Sequence, residues 1–286
     1  MNTITEPSPL TITDISQGQK IAFIGCGNMA KAIINGLVAS GWPAKQIIAS
    51  NPSNDKLIPL ANQLAIATTN NNLEAAGFAD IIILAVKPQK LTQVCQQLAK
   101  VDLSKKLLIS VAAGYKSEKI AEHLGQTPPI IRAMPNTPAF IQCGASGLFA
   151  TSQVNEQHKN ITVSIFEAVG KISWVSAESH MDVVTAIAGS SPAYIFLMMQ
   201  AMIEQAVELG LEQQQAFTLV TQAVSGAAQL AQATPEKSLD TLRKEVTSPG
   251  GTTAAAITSL IGNQFESIVK QAVTASVKRG QELGNQ

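Results

Sequence analysis

The apolar run Lys20-Ile21-Ala22-Phe23-Ile24 ends in Gly25-Cys26-Gly27-Asn28-Met29-Ala30, and a helical pattern over 28–40 follows at once. No other stretch restricts the fold so tightly. A short apolar run that ends in glycine has the length and flanks of a buried strand. Behind it Met29, Ile33, Ile34, Leu37 and Val38 recur at the spacing of one helix face, and Gly41 closes the helix. The pattern then repeats. Strands are expected at 46–50, 65–68, 80–86, 106–111 and 129–133, with helices at 54–64, 88–99 and 117–124 between them. Pro88 suits the first turn of its helix, where the missing N–H has no bond to make. Strands that are apolar throughout, alternating with helices, imply a parallel sheet covered on both faces.

After Trp174 the character changes. From Met181 onward the patterns are helical and rich in Ala, Val, Leu and Met, at 192–209, 212–232, 235–246, 253–260 and 264–282. Gly210, Thr234-Pro235 and Pro249-Gly250-Gly251 punctuate them. The length of 286 residues fits two domains of roughly 150 residues each. The expected division is a polar, disordered tail at 1–19, an α/β domain at 20–178 and an all-α domain at 179–286. The tail lacks the basic start and apolar core of a signal peptide.

Composition narrows the partners. The 20 Lys+Arg balance the 20 Asp+Glu, which argues against a nucleic acid or an anionic membrane held by counterion release. Only 14% of residues are charged, against about 25% in ordinary domains, so surface has to be covered some other way, as by a second subunit. Residues 183–203 carry no charge and are long enough to cross a bilayer. Gly189-Ser190-Ser191-Pro192 interrupts them, and the expectation is a helix buried in protein. Cys26, Cys95 and Cys143 lie far apart and read as reduced thiols of a cytoplasmic protein. His123, His158 and His180 share no short spacing, so neither a metal site nor a triad is expected.

Gly25-Cys26-Gly27-Asn28-Met29-Ala30 fits G-x-G-x-x-G/A between a strand and a helix, the setting of a Rossmann-type doubly wound sheet. Gly25 serves the tight turn, Gly27 lets the backbone touch a pyrophosphate, and Ala30 keeps the helix close to the sheet. The helix start then offers free N–H groups and partial positive charge to the phosphates. A purely structural turn is the alternative. At the end of the second strand an NAD-preferring fold places a carboxylate for the ribose 2′-OH. Here the chain reads Ala49-Ser50-Asn51-Pro52-Ser53-Asn54, with no carboxylate before Asp55. Ser50, Asn51 and Ser53 can donate to a 2′-phosphate and Lys56 adds charge, so NADPH is expected over NADH. The same residues also suit a polar turn and helix cap.

Other loops at strand carboxyl ends face the same crevice in such folds. They are Ala85-Val86-Lys87-Pro88, Val111-Ala112-Ala113-Gly114 and Met134-Pro135-Asn136-Thr137-Pro138. Lys87 fits either a phosphate or ribose contact or a solvated residue before a helix. Asn136 fits either an amide that orients nicotinamide or substrate, or a turn residue bonding its own backbone. In the helical half, Ser248-Pro249-Gly250-Gly251-Thr252-Thr253 precedes a helix. Its two glycines admit a ligand to the backbone, and helix-start N–H groups suit a carboxylate. A merely capped helix start is the other reading.

These motifs, together with Arg132-Ala133-Met134-Pro135-Asn136-Thr137-Pro138, Gly189-Ser190-Ser191-Pro192-Ala193-Tyr194 and Thr247 before the glycine loop, occur in an order that resembles the pyrroline-5-carboxylate reductase family. The resemblance runs from residue 20 to about 283. It implies an N-terminal Rossmann domain and a helical domain that dimerises by interleaving, often as a ring of dimers. It also implies NAD(P)H-dependent reduction of 1-pyrroline-5-carboxylate to L-proline, the last step of proline biosynthesis. In the family the loop grips the substrate carboxylate, here Ser248, Gly251 and Thr252 with Gly250 beside them, and its last threonine, Thr253, bonds the ring nitrogen. The Ala85–Pro88 and Met134–Asn136 loops line the cofactor side. Ala188 and Glu245 depart from the serine and asparagine that relatives carry.

The imine can arrive protonated, so no strong protein acid is demanded; the cofactor carries the hydride chemistry and the protein supplies proximity. Two competing readings are a 3-hydroxyacid dehydrogenase and a non-catalytic NADPH sensor. The first expects a lysine in a ligand loop of the helical half, and the second does not need an intact 248–253 loop.

Overall fold

The computed structural model describes residues 18–284, so the tail expected over 1–19 lies outside the described residues except at its last two positions. The alternation read from sequence is present. β1 (Ile21–Ile24), β2 (Ile47–Ser50), β3 (Ala67–Thr69), β4 (Ile81–Leu84), β5 (Leu107–Ser110) and β6 (Ile130–Met134) are joined through α1 (Asn28–Ala39), α2 (Asn54–Leu64), α3 (Asn72–Phe78), α4 (Pro88–Leu98) and α5 (Ser117–Leu124). Then come β7 (Gly144–Ala150), α6 (Glu156–Glu167) and β8 (Gly170–Trp174). The sheet order is β3-β2-β1-β4-β5-β6-β7-β8. The order reverses between β1 and β4, which brings the loop after β1 and the loop after β4 to one crevice.

The sheet is not parallel throughout, because β7 runs antiparallel to β6. The 135–143 connection holds a 3-10 turn at Thr137–Ile141 and is shorter than the dozen or so residues that a parallel crossover needs. β8 then pairs parallel to β7 after crossing over through α6.

Successive side chains of a strand point to opposite faces, and β1 shows what this does to the core. Ile21 and Phe23 pack with Ile33, Ile34 and Leu37 of α1 and with Ile161, Ile165 and Phe166 of α6. Ala22 and Ile24 pack on the other face with Ala75 and Ala76 of α3, Leu91, Cys95 and Leu98 of α4, and Ile120 of α5. Both faces are buried, which is why β1 and β4 are apolar at every position.

α6 opens with a capping box. Asn155 Oδ1 accepts from the His158 amide at 2.8 Å, and His158 Nδ1 accepts from the Asn155 amide at 3.4 Å. Nδ1 accepts only while unprotonated, and burial lowers the pKa of His158 from its ordinary 6.5. A depressed folded-state pKa means that this contribution to stability is full above about pH 6.5 and is lost as the pH falls through the folded-state value. His158→Gln keeps an acceptor at this capping position without a titrating proton. Thermal melts of this variant between about pH 7 and pH 5 are therefore expected to fall less steeply than those of the parent chain; parallel curves would remove His158 from the acid response.

The chain divides into two units. One extends to Ser190 and takes the chain back from Ser276; the other is Ser191–Ala275. The first thus includes α7 (His180–Val184) and a π turn at Thr185–Gly189, closed by the Ser190 amide on the Thr185 carbonyl at 2.8 Å. The helical unit holds α8 (Ser191–Glu208), α9 (Gln213–Ala233), α10 (Leu239–Glu245), α11 (Thr252–Gly262) and the first part of α12 (Phe265–Gly284). The segment 183–203 is interrupted where expected, by the π turn and a bend at Ser190, but it is not buried within the chain. Taken together, His180–Glu208 is long and apolar enough to cross a membrane by length and composition, with 6% of its most apolar window buried. Phe196, Leu197 and Met198 on α8, and Phe217 and Leu219 on α9, lie exposed.

The last turns of α12 belong to the α/β unit. Gly280 and Gly284 are buried there, and Lys119 Nζ donates to the Gly284 carbonyl at 3.1 Å. A Cβ at Gly284 would stand 2.5 Å from the Gly114 carbonyl, so only glycine permits this approach.

Candidate active site

In the α/β unit a cleft of about 460 Å³ opens at the carboxyl ends of β1, β2 and β4. Gly25 turns the chain out of β1 with φ +97°, and its amide donates to the Ser50 carbonyl at 2.8 Å. A Cβ there would lie 2.7 Å from the Ala85 carbonyl oxygen and 2.8 Å from Val86 Cγ1. The glycine turn and the Ala85–Val86 loop therefore touch as the two walls of one cleft. At Gly27 a Cβ would meet nothing within 4 Å, which leaves the backbone open to a ligand. Gly27 also caps α1 without a side-chain hydrogen bond, so no side chain masks the N–H groups at the helix start. Asn28 is exposed there, Met29 packs against the core, and Ala30 is fully buried where the helix meets the sheet.

The end of β2 is a side-chain network. Asn51 Oδ1 accepts from the Cys26 amide at 3.3 Å, and Asn51 Nδ2 donates to the Ser53 carbonyl at 3.0 Å. Ser50 is fully buried and its hydroxyl donates to Asn72 Oδ1 at 2.7 Å, while the Ser53 hydroxyl donates to Asp55 at 3.1 Å. Both hydroxyls expected to face a phosphate are thus engaged inside the chain. Ser53 makes no capping bond to α2 either. The Cys26 thiol packs against the Lys56 carbonyl, and burial pushes its pKa up.

Of the residues expected at the cofactor, Gly25, Cys26, Gly27, Asn51, Ala85, Val86 and Lys87 line the cleft. Ser50, Ser53, Asn28, Met29, Ala30, Pro88, Ala113 and Asn136 do not. Pro88 stands at the first turn of α4, as its chemistry requires. Asn136 is buried and both ends of its amide are used: Oδ1 accepts from the Ala145 amide at 2.8 Å, and Nδ2 donates to the Ala188 carbonyl at 3.0 Å. It fastens the β6–β7 connection to the π turn. Asn72, Lys90, Gln93, Val94 and Gln97, not expected from the sequence, also line the cleft. The Asn70-Asn71-Asn72 run directly after β3 was the available signal, since strand-end loops face the crevice. Among the described residues, no cluster of His, Cys, Asp and Glu is placed to hold a metal.

In the helical unit, Ser248-Pro249-Gly250-Gly251 forms a tight turn closed by the Gly251 amide on the Ser248 carbonyl at 3.0 Å. Pro249 presets one central position and Gly250, at φ +71°, takes the other, as a type II turn demands. Gly251 then begins α11, again without a side-chain cap. Among the described residues, the hydroxyls of Ser248, Thr252 and Thr253 have no hydrogen-bond partner. Uncapped helix-start amides and hydroxyls without partners are the donors that an anion bearing an acceptor requires. Glu245 is tied to Lys237 Nζ at 2.8 and 3.0 Å.

The protein-family comparison matches residues 178–283 to a model described as pyrroline-5-carboxylate reductase dimerisation, and residues 20–114 to one described as NADP oxidoreductase coenzyme F420-dependent. The chain is 45% identical over 265 residues to the pyrroline-5-carboxylate reductase of Vibrio alginolyticus, covering 93% of this chain and 97% of that protein. The solved structure of a pyrroline-5-carboxylate reductase from Coxiella burnetii matches with a TM-score of 0.88 at 43% identity, over 93% of this chain and 98% of that one. The Plasmodium falciparum pyrroline carboxylate reductase, solved with NADP bound, matches with a TM-score of 0.83 at 30% identity, over 93% and 98% of the two chains.

Proposed function

The chain belongs to the pyrroline-5-carboxylate reductase family, and from that premise we propose how its own residues carry out the reduction of 1-pyrroline-5-carboxylate to L-proline. It is an NAD(P)H-dependent oxidoreductase with a small-molecule substrate, and it associates with itself through the helical half. The finer assembly is a dimer with interleaved helices, extended to a ring of dimers, in the cytoplasm, without nucleic-acid or membrane partners. The exposed apolar residues of α8 and α9 support the interleaving, since an all-round apolar helix needs a partner to cover it.

Residues 20–178 serve as the dinucleotide domain and 179–286 as the substrate and dimerisation domain. Gly25, Gly27 and the start of α1 hold the pyrophosphate, with Lys87 beside them. The open side of Gly27 and the bare helix start fit that group. When bound, the reduced nicotinamide supplies the hydride. On the substrate side, the amides of Gly251 and the α11 start, with the hydroxyls of Ser248 and Thr252, hold the ring carboxylate. This anchor fixes which face of the ring is offered to reduction. Thr253 Oγ bonds the ring nitrogen, which arrives protonated or takes its proton from water.

The observation that carries this reading is the uncapped start of α11 with its threonine hydroxyls free. Thr253→Ala is expected to lower kcat/KM for the imine by about 10–100-fold, the loss of one well-placed hydrogen bond. The Kd for NADPH should stay within about twofold, because the hydroxyl touches only the substrate. Nicotinamide absorbance and a cofactor titration measure the two. An equal loss of cofactor affinity would contradict the role given to Thr253.

A further inference from the structure

A second cavity of the α/β unit, of about 430 Å³, shares no lining residue with the dinucleotide cleft. None of the residues given a role in the reduction lines it. β6 contributes Arg132, the segment after β8 contributes Glu178, α7 contributes Asp182, and the returning turns of α12 contribute Gln281. Arg132 is fixed before any ligand arrives. Its side chain is 6% exposed, and Nη1 donates to Glu178 at 3.0 Å. Glu178 is held in turn by the Ser117 amide at 2.7 Å and the Ser117 hydroxyl at 2.8 Å.

Only Nη1 of that guanidinium is engaged. Nε and Nη2 have no partner among the described residues, and they are not sealed in. Among the described residues, the enclosed side-chain atoms without a partner are Trp42 Nε1 and the Tyr194 hydroxyl. A buried guanidinium with a free edge on a cavity is a preformed fork for a carboxylate. Asp182 is its counterpart. Asp182 Oδ1 stands over α12, 3.4 Å from where a Cβ on Gly280 would lie, and its carboxylate has no hydrogen bond or ion pair among the described residues. Charge decides what can enter. With Lys116 the walls carry two cationic and two anionic side chains, so neither a pure anion nor a pure cation is favoured. A phosphate drawn to Arg132 would meet the carboxylates of Glu178 and Asp182, and a simple amine would leave the guanidinium edge unused. A molecule with one carboxylate and one ammonium satisfies both walls.

We propose that this cavity binds a small amino acid in its zwitterionic form, with the carboxylate on the free edge of Arg132 and the ammonium on Asp182. The assignment is independent of the roles given to the dinucleotide cleft and the 248–253 turn. The volume of about 430 Å³ lies within the range of small-molecule sites, about 300–1,000 Å³. Bound there, the ligand bridges β6 to α7 beside the last turns of α12, and its occupancy adds to the stability of the α/β unit by mass action.

Calorimetry of the full chain with glycine, β-alanine and 4-aminobutyrate tests it, since the series varies the separation of the two charges. At least one of them is expected to bind, about tenfold or more tightly than acetate or methylammonium, which carry one charge each. Asp182→Asn removes the negative wall without removing a hydrogen bond made within the chain, so the fold should survive. It should weaken the bound zwitterion about tenfold, the loss of one charged hydrogen bond. Arg132→Lys keeps a cation for Glu178 but not the planar fork, and should weaken binding to a similar extent. Thr253→Ala should bind the zwitterion as the parent chain does. Thermal melts of the parent should rise with the same ligand and not with acetate. The assignment is overturned if no member of the series binds, if acetate binds as tightly, or if Asp182→Asn binds unchanged. A loss confined to Thr253→Ala would also overturn it, by placing the ligand at the 248–253 turn.

Discussion

Gly25→Ala is expected to raise the Kd for NADPH at least about 100-fold and to destabilise the α/β unit by about 2–5 kcal/mol. Two effects add. Placing a Cβ on backbone at φ +97° costs about 1–2 kcal/mol in steric strain. The same Cβ would stand 2.7 Å from the Ala85 carbonyl and 2.8 Å from Val86 Cγ1, where relief requires backbone movement costing about 1–3 kcal/mol. The second effect is also the functional one, because the glycine turn and the Ala85–Val86 loop are adjoining walls of the cleft, and pushing them apart misplaces the amides at the α1 start. Calorimetric titration with NADPH and thermal melts measure the two consequences. Affinity retained within about threefold would show that the walls move without cost to the ligand. Gly27→Ala is the informative contrast, since a Cβ there meets no protein atom and any loss of binding must come from the ligand itself.

Glu178→Ala is expected to cost about 3–5 kcal/mol of stability, the usual consequence of stripping the partner from a buried charge. Arg132 is 5% exposed and its Nη1 donates to Glu178 at 3.0 Å. The same carboxylate accepts from the Ser117 amide at 2.7 Å and the Ser117 hydroxyl at 2.8 Å, so it joins β6 to the start of α5. Alanine leaves a guanidinium and two further donors without their acceptor at once. Glu178→Gln keeps one oxygen for the Ser117 amide but not the charge, and should fall between the two. Adding Arg132→Met to Glu178→Ala should recover much of the loss, because the uncompensated cation is the larger part of it. Urea unfolding reads all four chains. A loss below about 1 kcal/mol would mean that water reaches Arg132 through the cavity of about 430 Å³ that it lines with Gly114, Lys116 and Asp182.

The sequence revealed the fold wherever burial on both faces makes a run apolar, as in Ile81–Leu84, and where glycine or proline marks an end, as at Gly41 and Pro88. It revealed less where those signals fade. Gly144–Ala150 reads Gly-Ala-Ser-Gly-Leu-Phe-Ala, small residues with weak strand preference, and pairs because β6 and β8 flank it. α3 has a good start, with Asn71 accepting from the Leu73 amide, but Asn72–Phe78 is too short to show a periodicity. The site divides along the same line. The glycine turn, the Ala85–Val86 loop and the 248–253 turn follow from local chemistry. The hydroxyls of Ser50 and Ser53 do not, because the partner that takes Ser50 is Asn72, from another strand-end loop. Lys90 and Gln97 were missed because a helix recognised only as a covering layer also walls the cleft.

The return of residues 276–284 to the α/β unit makes the helical segment an insertion within that unit and not an appendage after it. During synthesis the sheet can form early, yet the glycine-lined seat beside Gly114 stays empty until the final turns of α12 have been made. The nascent α/β half therefore waits, incompletely closed, through the whole production of the apolar helices that need a second copy. Clipping the chain just before Ser276 would accordingly injure the half that lies farthest from the cut in sequence.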